Sequence, residues 1–113
     1  MRKIIFIAVL FISSGFLKTA MAQMDTVRIK TTSICEQCKE RIEIDLSFEK
    51  GIKSSNLNLK TKIVTVVYNS KKTDEQKIRT AITKIGYDAD TLKADPKSFR
   101  KLPDCCKHDT KQH

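Results

Sequence analysis

The chain has 113 residues, 22 lysines and arginines against 13 acids, a formal charge of +9, four cysteines and no tryptophan. The basic residues are dispersed (Lys53, Lys60, Lys62, Lys71, Lys72, Lys84, Lys97) and aromatics are few, a pattern that excludes a nucleic-acid-binding surface and suits an acidic protein partner. A chain this short has room for one domain and one small core.

Met1 to Ala22 is built as a secretory leader: basic Arg2 and Lys3, the apolar run Ile4 to Ile12, then Ala20-Met21-Ala22 ahead of the cut. Nine unbroken apolar residues fall short of the roughly 17–25 that span a bilayer. The expectation is cleavage, no stable membrane insertion afterwards, and a periplasmic or otherwise extracytoplasmic location. The remaining chain, Gln23 to His113, has 91 residues, and losing Arg2, Lys3 and Lys18 with no acid lowers the charge from +9 to +6. Such a domain buries roughly 60–65% of its unfolded surface.

Asp25 to Thr31 alternates Val27 and Ile29 with Arg28 and Lys30, the period of a strand with one buried face. The stretch Ile34-Cys-Glu-Gln-Cys38 follows, and from Cys35 to about Lys50 neither glycine nor proline interrupts a helical pattern. Cys38, Ile42 and Leu46 recur on one side, with Ile44 and Phe48 widening the stripe. Ser33 and Glu36 match a capping box, and Gly51 suits the end. Residues 52–69 read as a hairpin turning at Thr61-Lys62, with Leu57 and Leu59 matched by Val64, Val66 and Tyr68, and Ser55 interrupting the apolar pattern. A second helix follows from a Thr73/Gln76 capping box through Ile78, Ala81, Ile82 and Ile85 to Gly86. Tyr87 to Lys93 supplies a last short strand. The order βαββαβ predicts an α+β, ferredoxin-like sandwich: a four-stranded antiparallel sheet with two helices on one face. A short C-terminal helix from Asp95-Pro96 to Leu102, stopped by Pro103, and a polar, mobile tail complete the expectation.

Two sulfurs at a loop-to-helix junction lie beside the unpaired N–H groups of the first helical turn, and Lys39 and Arg41 add positive charge; both favour thiolate. A thiolate pair one turn apart suits a soft ion that needs few ligands, such as Cu(I), Hg(II) or Ag(I). Structural zinc wants four ligands, so Zn(II) requires the tail to complete the set. The spacing alone also fits a thiol–disulfide exchanger or an inert disulfide. A redox enzyme of the thioredoxin kind pairs its CxxC with a cis-proline, and no proline precedes Pro96. No Ser-His-Asp set, carboxylate pair or phosphate loop is present, so no enzymatic activity is expected.

With its strand, "ICEQC", first helix, Gly51, "LNLKTKIVTVVYN" hairpin, second helix and "IGYDAD", the segment from Asp25 to Lys93 resembles a heavy-metal-associated domain, similar to exported copper chaperones and periplasmic mercuric-ion-binding proteins. The resemblance implies a monomeric module at 23–93 that holds Cu(I), or Hg(II), between Cys35 and Cys38 and hands it to a metal-transporting or metal-accepting protein. It also implies a place for Tyr87 near the metal, which an ordinary core role fits equally. The family's Gly-Met before the pair is replaced here by Thr32-Ser33, removing the methionine that packs beneath the metal loop.

Residues 94–113 form an extension carrying Cys105, Cys106 and His108. Adjacent cysteines have Cα atoms ~3.8 Å apart, below the usual disulfide range, so they are expected as free thiols, as partners for other cysteines, or as ligands alongside His108. In the expected topology the last strand ends at the pole opposite Cys35. The seven residues Pro96–Leu102 and three or four extended ones span roughly 20 Å, enough to return. Cys105, Cys106 and His108 are therefore candidate auxiliary ligands.

Overall fold

The computed structural model describes residues 23–107; the leader Met1–Ala22 and the candidate ligand His108 lie outside the described residues. Strand β1 (Met24–Lys30) leads to helix α1 (Glu36–Ser47), then to the hairpin of β2 (Ile52–Asn58) and β3 (Ile63–Asn69) and to helix α2 (Glu75–Ile85). A five-residue helix α3 (Pro96–Arg100) and a 3-10 turn (Asp104–Cys106) close the described chain.

The sheet has three strands in the order β1-β3-β2, all antiparallel. Val27 stands opposite Val66 and Ile29 opposite Val64, while Leu57 faces Val64 from the other side. The period of two thus puts one set of side chains on one face. That face meets Cys38, Ile42 and Leu46 of α1 and Ile78, Ala81 and Ile82 of α2 in a single buried cluster.

The fourth strand expected over Tyr87–Lys93 does not form; only isolated bridges join Thr31 to Ala89 and Ala89 to Leu92. Asp90 is the reason. It occupies the left-handed region at φ 53°, which a short polar side chain tolerates, and the chain reverses there, with Ala89 and Leu92 exchanging backbone hydrogen bonds of 2.9 Å. Its carboxylate then takes the place of a ladder acceptor: Lys30 N–H donates to Asp90 Oδ1 at 2.9 Å, while Asp90 N–H donates to Lys30 O at 2.8 Å.

Several local expectations shift. Helix α1 is capped by Cys35, in extended conformation, without a side-chain cap, because Ser33 is buried in another hydrogen bond. The α1 stripe is narrow: Ile44 is 57% and Phe48 84% exposed. The helix ends before Gly51, which instead serves a turn at φ 86° where a Cβ would meet Thr73 Cγ2 at 2.9 Å. For α2 the cap is Asp74, whose carboxylate accepts from Lys77 N–H, one position beyond Thr73. The hairpin loop spans 59–62 rather than two residues, because Asn58 Oδ1 accepts from both Lys60 N–H and Thr61 N–H and Lys62 turns at φ 64°. Near Ser55, the β2–β3 register shifts between Ile52 and Ser54, a bulge in the edge strand.

Candidate metal centre

At the end of β1 the chain leaves the sheet, and Cys35 and Cys38 stand on the first turn of α1 with their sulfurs 3.2 Å apart. Cys38 is fully buried in the core cluster, whereas Cys35 is part-exposed. Burial raises both thiols. For Cys35 burial prevails, aided by the neighbouring Cys38. For Cys38, the backbone at Ile34 and the neighbouring Tyr87, Cys35 and Cys106 side chains outweigh burial and bring it below the ordinary thiol value. The pair is therefore graded, with the inner sulfur the readier thiolate.

The expected positive charge works differently. Lys39 Nζ is drawn to Glu43 Oε2 and to Leu57 O at 3.1 Å, while Leu57 N–H donates to Glu43 Oε2 at 2.7 Å. Together these side chains satisfy the backbone of edge strand β2 at Leu57 and fasten α1 to it. What favours thiolate at Cys38 is the set of polar groups around it, from the Ile34 backbone to Tyr87, Cys35 and Cys106.

Tyr87 follows Gly86 at the end of α2 and is fully buried. Among the described residues its hydroxyl makes no hydrogen bond, although it faces the sulfurs of Cys38 and Cys106. Burial first, then these sulfurs, hold the phenol far above its ordinary value, so it stays protonated and able to donate.

The extension reaches the same place. Cys106 is fully buried, its sulfur 3.7 Å from Cys35 Sγ; Cys105 is exposed, its thiol donating to Gln37 Oε1 at 2.8 Å. Cys35 Sγ also donates to Cys105 O at 3.3 Å. The sulfurs of Cys35, Cys105 and Cys106 all lie within 4.8 Å of one another. Burial pushes the Cys106 thiol up to about 12. The tail expected to be mobile is thus a docked turn as far as Lys107. All four cysteines are free thiols. A set of soft sulfur donors beside an orphaned phenol O–H is chemistry that fits a polarisable cation and offers nothing to a hard one.

The family model for the heavy-metal-associated domain matches residues 26–88. The chain belongs to this family. Among curated proteins, the copper-exporting P-type ATPases of Staphylococcus aureus strains JH9 and Newman are each 37% identical over 67 residues, 58% of this chain and 8% of the ATPase, so the chain spans under a tenth of the length of these relatives. Among solved structures, the CopZ metallochaperone superposes with a TM-score of 0.55 at 27% identity, over 57% of this chain and 98% of that one. The water-soluble region of the P-type ATPase CopA from Bacillus subtilis gives 0.57 at 28%, over 61% and 46%. Oxidised MerP from Ralstonia metallidurans CH34 shares the fold at 22% identity, with a TM-score of 0.57 over 59% and 94%.

This heavy-metal-associated domain fills the place of the family's Gly-Met with a polar clasp that the sequence did not advertise. Thr31, almost fully buried, donates its hydroxyl to Lys62 O at 2.9 Å; its Oγ1 accepts from Ser33 N–H at 3.3 Å and lies 2.9 Å from Ser33 Oγ. With the Thr31 hydrogen given to Lys62, the hydrogen between the two hydroxyls comes from Ser33. Thr32 Oγ1 accepts from Asp88 N–H at 3.1 Å, joining the cysteine loop to the Tyr87 loop. In this heavy-metal-associated domain, hydrogen bonds hold what a buried methionine would hold by packing. Among the described residues, no helix is long and apolar enough to cross a membrane.

Proposed function

We propose that this chain captures a soft cation, Cu(I) foremost with Hg(II) and Ag(I) as chemically similar cargo, between Cys35 and Cys38, and passes it to a metal-transporting or metal-accepting protein. The observation that carries this is the sulfur pair 3.2 Å apart at the head of α1, one thiol part-exposed and one buried among donors. Bonds of about 2.3 Å to each sulfur, the zinc–thiolate length, would hold the pair further apart than this, so capture swings the exposed Cys35 outward while Cys38 stays packed. An incoming thiolate from the partner then attacks the bound ion on that open side. The intermediate is three-coordinate, and release does not wait for dissociation.

The leader-like Met1–Ala22 supports delivery outside the cytoplasm, to a periplasm or its equivalent, with the mature chain a monomer that carries no catalytic activity. The excess of lysine supports docking on an acidic face of the recipient. The competing use of the same two sulfurs is thiol–disulfide exchange, which their proximity also permits. Native mass spectrometry of the reduced, anaerobic chain with Cu(I), Hg(II) and Zn(II) in competition decides between them. One soft ion retained against Zn(II), and lost in Cys35→Ser/Cys38→Ser, is the expected result. Metal-independent turnover of a disulfide substrate, with no ion retained, would overturn it.

A further inference from the structure

Two sulfur sets share Cys35: the pair with Cys38, and a triangle with Cys105 and Cys106 from the C-terminal turn. Three sulfurs bound to one central ion at about 2.3 Å stand about 4 Å from one another, by trigonal geometry at the zinc–thiolate bond length. The triangle lies within 4.8 Å throughout and its Cys35–Cys106 edge is 3.7 Å, so it needs little rearrangement to close on an ion.

Three features hold the turn where it is. Leu102 is buried against Gly86, whose missing side chain leaves room for it: a Cβ there would stand 3.0 Å from Leu102 Cγ. Cys106 N–H donates to Pro103 O at 2.8 Å, closing the turn, and Cys105 is tied to Gln37 on α1. An independent sign of a ligand is the Tyr87 hydroxyl. It is fully buried, has no hydrogen-bond partner among the described residues, and faces Cys38 and Cys106. A buried donor without an acceptor is costly, and a metal-bound thiolate is a much stronger acceptor than the weak one a neutral thiol offers.

We propose that Cys105 and Cys106 are metal ligands, closing with Cys35 a three-thiolate site for a soft monovalent cation, and that the ion moves between this site and Cys38 by exchange at the shared Cys35. The inference rests on the Cys35–Cys38 reading and extends it. Binding releases the thiol protons to solvent, one per sulfur engaged, with no change in the oxidation state of sulfur or metal. The site encloses the ion while it is carried. A partner thiolate enters by displacing Cys105, the exposed ligand.

The test uses the full chain, reduced and anaerobic, loaded with one equivalent of Cu(I). X-ray absorption counts the sulfur neighbours of copper, and competition with a chromophoric Cu(I) chelator measures affinity. The expected result is three sulfurs in the native chain, two in Cys105→Ser/Cys106→Ala, and an affinity at least about tenfold lower in that variant. Cys105→Ser alone, at an exposed position, reports the same direction without disturbing the core. Cys38→Ser should still hold one Cu(I) through the triangle. Two sulfurs in the native chain, with affinity unchanged in Cys105→Ser and in the double variant, would overturn the proposal and leave the Cys35–Cys38 pair standing. No Cu(I) retained by the native chain would instead remove the pair, and this inference with it.

Discussion

Cys35 Sγ and Cys106 Sγ stand 3.7 Å apart across 71 positions of chain. The reversal at Asp90 brings them together. A six-residue strand after Tyr87 would have carried the chain roughly 20 Å along the sheet, away from the cysteine loop. Turning back at Ala89–Leu92, beside Lys30 and Thr31, keeps the chain at the pole where α1 begins. From there Asp95 N–H donates to Thr83 O at 2.9 Å, and Leu102 settles on Gly86. The same pole therefore receives sulfurs from both ends of the domain.

Gly86→Ala tests that docking. Gly86 has φ 125°, which disfavours any side chain, and an added Cβ meets three Leu102 carbons at 3.0–3.1 Å. The substitution should destabilise by about 1–3 kcal/mol, from backbone strain and overpacking. Urea denaturation measures the loss. The Cys106 thiol should also react faster with a disulfide reagent as Leu102 is pushed off.

Tyr87→Phe separates packing from chemistry. The hydroxyl makes no hydrogen bond among the described residues, so its loss should change stability by less than about 1 kcal/mol, in either direction. Affinity for Cu(I) should nevertheless fall, because the O–H that could donate to a sulfur-bound charge is gone. Equal Cu(I) affinity in the two proteins would make Tyr87 a core residue and nothing more.

Thr31→Val keeps the shape and removes the clasp. Lys62 O keeps the Thr31 N–H at 2.8 Å but loses the hydroxyl, and the fully buried Ser33 loses the acceptor for both its hydroxyl and its N–H. Leaving such groups unsatisfied costs about 1–3 kcal/mol. Thermal unfolding should show the drop, and Ser33→Ala should cost less because the Thr31–Lys62 bond survives.

Asp90 gives a pH signature. Burial would raise its carboxyl, but the Arg79 guanidinium at 2.8 Å and the Lys30 N–H overcome that and hold it below its ordinary 3.8. A carboxyl lowered on folding contributes stability above its unfolded value, and that contribution disappears as pH falls from about 3.8 through the lower folded value. With the side chain about a third exposed, solvent screening limits the effect to about 0.5–1 kcal/mol. Asp90→Asn should lower stability at pH 7 and flatten the acid limb of a stability–pH curve below about pH 4.

Leu46→Ala and Phe48→Ala should part company. Leu46 is fully buried and should cost about 2–5 kcal/mol, whereas Phe48, 84% exposed, should fall within about 0.5 kcal/mol. Chemical denaturation of the two variants checks it.

The sequence alone determined the strands of alternating Val and Ile, the two helices, the hairpin and the placement of Cys35 and Cys38 at a helix start. Each of these is written in residues a few positions apart, where period and turn chemistry act directly. Even there, the cap slipped from Ser33 to Cys35, because the buried Ser33 hydroxyl is engaged by Thr31, and from Thr73 to Asp74, whose carboxylate accepts from Lys77 N–H. Tertiary structure alone decided that Tyr87–Lys93 is a turn, that Ser33 is a buried anchor, and that Cys106 closes on Cys35. Those outcomes depend on partners 31 to 71 positions away, such as Lys62 for Thr31 and Lys30 for Asp90, and no local pattern records which distant group will satisfy a hydrogen bond.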